Sequence, residues 1–206
     1  MTILLIVITS AISILAFNNR DISDKLQLNP YAVVHKKEWH RILSHGFIHA
    51  DWVHLFINMF VLYSFGSAVE SIFDQLAAEG IIKSSVLSFV ILYFVSMIFA
   101  TVTSIKNHKD DPWYNSVGAS GAVSAVVFTS IFFQPLGKLY FYAVIPIPGI
   151  VFGVLYLAYS QYMSKKSKDN INHDAHFIGA VFGFLFPLIL EPKLINVFLG
   201  QLFNIF

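Results

Sequence analysis

Residues 115–133, NSVGASGAVSAVVFTSIFF, contain no charged side chain, and both glycines of the stretch lie near its N-terminal end. Crossing about 30 Å of hydrocarbon takes roughly 17 to 25 apolar residues. The run from residue 117 to 133 meets the lower limit of that length. It therefore predicts a membrane helix that begins in a polar, glycine-containing segment.

Five other stretches are similarly apolar and have, or nearly have, this length. We predict an all-α membrane protein, a bundle of six transmembrane helices in one domain over residues 1–206. Pro146 and Pro148 either kink the fifth helix or break it into a shorter helix with an irregular lead-in. The tail, 194–206, is apolar enough to lie on the membrane interface. The predicted helices are 2–17, 53–67, 86–105, 117–133, 139–160 and 175–190.

The composition of the chain agrees with a membrane protein. Its 206 residues are the length of one domain. They are 56% apolar and 12% charged, whereas a soluble domain carries about 25% charge. The 21 Phe, 9 Tyr and 3 Trp exclude a disordered chain. A net charge of +1 offers no field for nucleic acid, and the absence of Cys excludes disulfides and thiolate chemistry.

The first helix and the loop charges bear on orientation. Stretch 2–17 lacks the basic segment and the cleavage site of a signal peptide, which favours a retained helix. The polar segment 18–37 that follows is typical of a structured interfacial loop. Ten of the thirteen Lys and Arg residues, Lys168 among them, lie in the first, third and fifth loops. The positive-inside rule alone places those loops in the cytoplasm.

Three predicted helices begin with polar or ionisable residues, which are costly in a membrane and mark functional sites. The second, fourth and sixth helices cross in the same direction, so their N-terminal ends lie at one membrane face. We therefore expect the three clusters to meet in one pocket. The clusters are His45, His49, Asp51, His54 and Asn58; then 115–121; then Asn172, His173, Asp174 and His176.

Ser120 and His176 have the chemistry of a nucleophile and its base. Gly118 and Gly121 leave room around the Ser120 hydroxyl, and free N–H groups at a helix N-terminus stabilise negative charge. Gly179 and Gly183 form a Gly-xxx-Gly face, which permits the close helix contact that a Ser–His hydrogen bond needs. His54 and Asn58, four residues apart, project from one helix face and can donate to an oxyanion.

Each cluster also has an ordinary structural interpretation. Small residues pack membrane helices in general, and His176 alone could be an interfacial histidine. His45 and His49 have metal-ligand spacing, but histidines bonded to loop backbone have it too. No His-Glu-x-x-His motif is present, which argues against a zinc protease. Asp174 lies two residues from His176 and so faces elsewhere on a helix. A histidine-lined transporter or metal carrier is a further alternative.

Taken together and in this order, the clusters resemble the rhomboid family of intramembrane serine proteases. The resemblance covers most of the chain from about Arg41 onwards. It is specific, because the motifs fall on successive even-numbered helices of a six-helix chain. They are His45-Gly-Phe-Ile-His49, His54-Leu-Phe-Ile-Asn58, Gly66-Ser-Ala-Val-Glu70, Gly118-Ala-Ser-Gly121 and Ala175-His-Phe-Ile-Gly179.

The resemblance implies a role for each matched residue. Ser120 is the nucleophile and His176 the general base, in a dyad without an acidic third member. His54 and Asn58 join the Ser120 N–H in the oxyanion hole. No cofactor or metal is implied. The supporting positions are His45, His49, Arg41 and Glu70, which brace the first loop and the helix ends, and Gly118, Gly121 and Gly179, which allow close packing.

The resemblance also implies partners and a location. The substrates are single-pass or other transmembrane proteins in a lipid bilayer, and the membrane is a bacterial inner membrane with the pocket opening to the outer side. That orientation is opposite to the one the loop charges predict. Ser124 also differs from the family pattern, because some relatives have at this position a tyrosine that stacks on the catalytic histidine. A catalytically silent rhomboid-like protein that binds membrane helices is the alternative function.

Overall fold

The computed structural model describes residues 1–141, 144–166 and 171–203. Residues 142–143 of the predicted fifth helix, Lys168, and residues 204–206 of the tail lie outside the described ranges. A 3-10 turn spans His45–Phe47, and another spans Pro192–Leu194. The helices are α1 (Thr2–Asn18), α2 (Arg20–Leu26), α3 (Pro30–His35), α4 (Arg41–Ser44), α5 (Trp52–Ala78), α6 (Ser85–His108), α7 (Ser120–Phe133), α8 (Gly149–Lys166), α9 (His173–Leu190) and α10 (Ile195–Phe203), and the strands are β1 (Lys138–Phe141) and β2 (Ile145–Pro148).

Three helices of the described part are long and apolar enough to cross a membrane, namely α5, α6 and α9. α1 and α7 are apolar but shorter. The prediction of an all-α membrane fold is confirmed. The count of six membrane spans stays a prediction, because length and composition identify only those three helices among the described residues.

Of the two alternatives for the predicted fifth helix, 139–160, the structure has the shorter helix, and a strand pair precedes it where an irregular segment was expected. Residues Lys138–Phe141 pair antiparallel with Ile145–Pro148, and α8 begins only at Gly149. Pro146 and Pro148 lack an N–H donor, and a proline disfavours the helical conformation of the residue before it. The helix therefore begins after the second proline and extends six residues beyond the predicted end, to Lys166.

The second helix is longer than predicted and continues to Ala78. Val69, Phe73 and Leu76, spaced four and three residues apart, are buried along this extension. The spacing places them on one helix face, so packing against the core stabilises the extra turns.

α7 is the centre of the bundle, and every residue from Gly121 to Phe133 is buried. It packs against α5, α6, α8, α9 and α10. Its 14 residues give a length of about 21 Å, less than the thickness of the hydrocarbon layer. α7 alone is therefore shorter than the hydrocarbon layer, and its N-terminus starts inside the protein, with Gly118 and Ala119 buried before it.

α7 and α9 run parallel with their backbones in contact. A Cβ on Gly179 would overlap the backbone of Gly121, and one on Gly183 would overlap Ala125, four residues further along both helices. Thr129 Oγ1 donates a hydrogen bond of 2.7 Å to the Gly183 carbonyl. This close contact puts the first turns of the two helices side by side, and the predicted Gly-xxx-Gly face is where it occurs.

Candidate active site

Ser120 and His176 meet at the N-terminal ends of α7 and α9. The distance between Ser120 Oγ and His176 Nε2 is 2.7 Å, a hydrogen bond. Asn172 caps α9 by accepting from the Ala175 N–H (3.0 Å), and its own Nδ2 donates to Ser104 Oγ on α6 (2.7 Å). Both dyad residues are half-buried, so a ligand in the cavity can reach them.

The loop before Ser120 is held by two histidines. Gly118 has a φ of +115°, a backbone conformation that favours glycine, and its N–H donates to the His45 carbonyl (3.0 Å). The Ala119 N–H donates to His49 Nε2 (3.4 Å). A Cβ on Gly118 would also lie only 2.9 Å from His54 Nε2. The glycine is therefore required both by the backbone and by its neighbour.

His49 connects this loop to α1. Because Nε2 accepts from Ala119, its proton is on Nδ1, which donates to Ser13 Oγ at 3.0 Å. Ser13 Oγ in turn donates to the Phe47 carbonyl (3.0 Å). Burial lowers the pKa of His49 to about 3, and the nearby His54 lowers it further. The imidazole is thus neutral at pH 7, as this hydrogen-bond pattern requires.

His45 is a buried histidine bonded to backbone. Its Nδ1 donates to the Arg41 carbonyl at 3.0 Å, and burial lowers its pKa to about 4. Among the described residues, no cluster of three or more His, Cys, Asp or Glu side chains is arranged to hold a metal ion. The hydrogen bonds of His45 and His49 to backbone groups are those expected of structural histidines in a loop.

His54 and Asn58 lie in the first two turns of α5 and line the same cavity as Ser120 and His176. The His54 N–H donates to Asp51, the N-cap of α5 (2.8 Å), and its ring meets the His49 ring edge-on at 4.9 Å. Asn58 Nδ2 donates to the His54 carbonyl (2.9 Å), which uses one of its two amide hydrogens. Their side chains are therefore beside the serine on the α5 wall of the cavity.

The cavity has a volume of about 920 Å³, within the range of ligand-binding pockets. One end is polar, with Gln27, Asn115 and Ser116 in its lining. The other end follows α7 as far as Leu139, between α5 and α8. The apolar lining of that end includes Val61, Phe65, Val127, Phe128 and Phe152. The dyad lies where the polar end meets the apolar one.

Arg41 and Glu70 brace the fold outside the cavity lining. Arg41 Nε donates to Glu38 Oε2 (2.6 Å), and its NH1 donates to the carbonyls of Asp24 (2.7 Å) and Gln27 (2.8 Å). The hydrogen bond from Arg41 Nε lowers the pKa of the Glu38 carboxyl. Glu70 accepts from the Thr2 N–H (3.0 Å) and pairs with the α-amino group of Met1. Arg41 thus supports the first loop, and Glu70 supports the start of α1.

Sequence reasoning missed Tyr156, which the structure places in the cavity beside His176. Its hydroxyl is 2.9 Å from Ser124 Oγ, and its ring is nearly parallel to the His176 ring. The His173 ring also meets His176 edge-on at 6.1 Å. Nothing in the sequence points to Tyr156, because its relation to His176 depends on where α8 packs.

Comparison with known proteins agrees with this architecture. The model of the Rhomboid domain family matches residues 36–193. "RHOMBOID-like protein 12, mitochondrial" from Arabidopsis thaliana is 28% identical over 145 residues, which are 68% of this chain and 43% of that protein. The chain therefore spans less than half the length of this curated relative.

Proposed function

The chain belongs to the rhomboid family, and we propose that it is an intramembrane serine endopeptidase that hydrolyses peptide bonds in or near transmembrane helices of membrane proteins. The observation that carries this proposal is the 2.7 Å hydrogen bond between Ser120 Oγ and His176 Nε2 at the N-terminus of α7. A serine activated by a hydrogen-bonded base is the arrangement that nucleophilic catalysis requires.

The first step is acylation of Ser120. His176 Nε2 takes the hydroxyl proton as Ser120 Oγ attacks the scissile carbonyl carbon, which gives a tetrahedral oxyanion and an imidazolium. The imidazolium then donates its proton to the leaving amine, the C–N bond breaks, and an acyl-enzyme ester remains. The contact of the α7 and α9 backbones at Gly121 and Gly179 supports this step, since it limits how far the two groups can separate.

The oxyanion is stabilised by donors on two helices. N–H groups in the first turn of a helix have no intrahelical acceptor, so the N–H of Ser120 is available to the developing charge. The His54 imidazole and the remaining amide hydrogen of Asn58 donate from α5. In soluble proteases a donor of this kind contributes roughly 3 to 4 kcal/mol.

Water completes the cycle from the polar end of the cavity. With His176 again acting as base, a water molecule attacks the ester carbonyl, and the ester bond to Ser120 breaks as Oγ regains its proton. Asn115, Ser116 and Gln27 offer hydrogen bonds along a route from the loops to the dyad. In this mechanism the chain itself supplies the nucleophile, the base and the oxyanion donors.

The shape of the cavity favours a membrane-embedded substrate. Its apolar end, between α5 and α8, suits an apolar peptide segment, and its polar end suits a segment that has left the helix. A helical carbonyl is already hydrogen-bonded, so a substrate helix has to unwind at the cleavage site. We expect helix-destabilising segments with a small residue before the scissile bond.

The membrane in which the chain works is part of the proposal. The chain is a membrane protein with several apolar helices. A bacterial inner membrane and a pocket open to its outer side stay predictions, and the similar plant protein is named as mitochondrial.

The test is cleavage of a single-pass model substrate by the full chain in liposomes, together with labelling by a fluorophosphonate. Ser120→Ala and His176→Ala are compared with Ser130→Ala, which removes a buried hydroxyl two to three turns away on α7. We expect both dyad variants to lose cleavage and labelling, Ser130→Ala to keep them, and a chelator to have no effect. Cleavage by Ser120→Ala contradicts the mechanism, and a wild type that is neither labelled nor active identifies a catalytically silent family member.

A further inference from the structure

The Tyr156 ring, on α8, lies beside the His176 imidazole in the cavity that contains Ser120. The two ring planes are within 18° of parallel, and the ring centres are 6.4 Å apart. Aromatic rings interact at centroid distances of about 4.5 to 7 Å, and parallel pairs prefer an offset arrangement. The tyrosine ring therefore lies within aromatic contact distance of the imidazole, on the side of α8.

Tyr156 is held on its other sides by α7 and by its own helix. Its hydroxyl hydrogen-bonds Ser124 Oγ at 2.9 Å, and Ser124 is a buried residue one turn after the nucleophile. The ring also packs against Phe152, at a centroid distance of 5.8 Å, and against Phe128 at 5.7 Å. These contacts tie the position of the tyrosine ring to the helix that carries Ser120.

Two small residues bring α8 close enough for this arrangement. A Cβ on Gly153 would lie 3.3 Å from Phe128, and one on Gly149 would lie 3.4 Å from Ile131. Both glycines are buried. The spacing of α8 from α7 at this face thus depends on close packing, and that spacing sets the distance of the Tyr156 ring from His176.

We propose that Tyr156 is a positioning residue of His176: its ring keeps the imidazole in the plane from which Nε2 reaches Ser120, and Ser124 holds that ring through its hydroxyl. The inference rests on the serine protease function proposed above. In this arrangement α8 affects the geometry of the dyad, although the two members of the dyad lie on α7 and α9. A displacement of α8 away from α7 removes the ring from His176 and lowers the rate of the chemical step.

The experiment measures kcat and KM for cleavage in liposomes, the rate of fluorophosphonate labelling, and the unfolding temperature. Tyr156→Leu removes the ring, Tyr156→Phe keeps the ring without the hydroxyl, and Ser124→Ala removes the hydroxyl's partner. Tyr162→Leu is the matched control, because Tyr162 is an exposed tyrosine on the same helix outside the cavity.

We expect Tyr156→Leu to lower kcat and the labelling rate about tenfold with little change in KM. Tyr156→Phe and Ser124→Ala should each lose about two- to threefold, since the ring stays in place while one hydrogen bond is lost. Tyr162→Leu should match the wild type. A higher activity in Tyr156→Phe than in Tyr156→Leu, at similar unfolding temperatures, distinguishes positioning by the ring from a loss of fold.

Three results overturn the inference. They are wild-type kcat and labelling in Tyr156→Leu, a loss confined to KM, and a loss in Tyr156→Phe as large as in Tyr156→Leu. Tyr156→Met, which keeps most of the volume without an aromatic face, repeats the test if the leucine variant does not fold. Failure of the proposed function is seen separately, as a wild type without labelling or cleavage, or a Ser120→Ala variant that still cleaves.

Discussion

Substitution of Gly179 by Ala tests whether the contact between α7 and α9 sets the dyad geometry. The added Cβ would lie 2.8 Å from the Gly121 carbonyl carbon and 3.1 Å from its Cα, and it would also overlap the carbonyl oxygen. These atoms belong to the backbone and cannot rotate away, so the two helices have to move apart by several tenths of an ångström or more. The Ser120–His176 hydrogen bond, 2.7 Å long, lies one turn from this contact.

We expect Gly179→Ala to lose more activity than stability. Overpacking a core costs about 1 to 3 kcal/mol of unfolding free energy. A misplacement of about 1 Å at reacting groups costs on the order of 10²-fold in rate. The assay is liposome cleavage at a temperature where unfolding measurements show the variant to be folded. Gly66→Ala is the control, since its Cβ would overlap the Thr2 side chain on α1 and Gly66 lies outside the cavity lining. A folded Gly179→Ala variant that cleaves at nearly the wild-type rate would show that this helix contact does not set the dyad geometry.

Three further predictions concern the oxyanion hole, the first loop and pH. Asn58→Ala should lower kcat about 10²- to 10³-fold with wild-type labelling stoichiometry, because one oxyanion donor is lost. Arg41→Gln should lower the unfolding free energy by about 1.5 to 3 kcal/mol, because it breaks charged hydrogen bonds to Glu38 and to loop carbonyls. The pKa of His49 is about 3 in the folded protein and 6.5 in the unfolded chain. Between these pH values the unfolded state therefore binds more protons than the folded state, so the folded protein loses stability as the pH falls from about 6.5 toward 3. His49→Gln, which keeps an acceptor for the Ala119 N–H without titrating, should flatten the dependence of unfolding temperature on pH.

Each of these predictions has an outcome that contradicts it. Wild-type kcat in Asn58→Ala removes this amide from the oxyanion hole, and unchanged unfolding of Arg41→Gln shows that the loop is held by other contacts. An equal loss of stability on acidification in His49→Gln and the wild type assigns the pH dependence to another group, with His45 the next candidate because its pKa is about 4.

The fold class and the main candidate residues could be predicted from the sequence. An uncharged apolar run such as 117–133 predicts a helix in lipid. The bilayer offers no hydrogen-bond partners, and a helix satisfies its backbone groups within the segment itself. Alternate membrane helices begin at the same face, which predicts one pocket for Ser120, His176, His54 and Asn58, and all four line one cavity in the structure. The Gly179 and Gly183 spacing also indicated the close helix contact that is found against α7.

The prolines of the fifth stretch predicted a kink or a shorter helix, and the structure has the shorter helix; the strand pair before it was not predicted, for a local reason. Hydropathy counts Ile145 and Ile147 as continuing an apolar run, but the prolines after them remove N–H donors and favour the extended strand that pairs with residues 138–141. Hydropathy alone does not separate a short apolar strand from the first turns of a helix.

Local composition is enough to predict the membrane environment, the helices and the polar helix ends. Which side chains touch depends on how the helices pack. Tyr156 lies beside His176 because α8 packs on α7 through Gly149 and Gly153, and His49 links Ser13 to Ala119 across three segments of the chain. Such contacts depend on helix spacing to within a few tenths of an ångström. That spacing results from close packing summed over the whole bundle, and no single stretch of sequence encodes it.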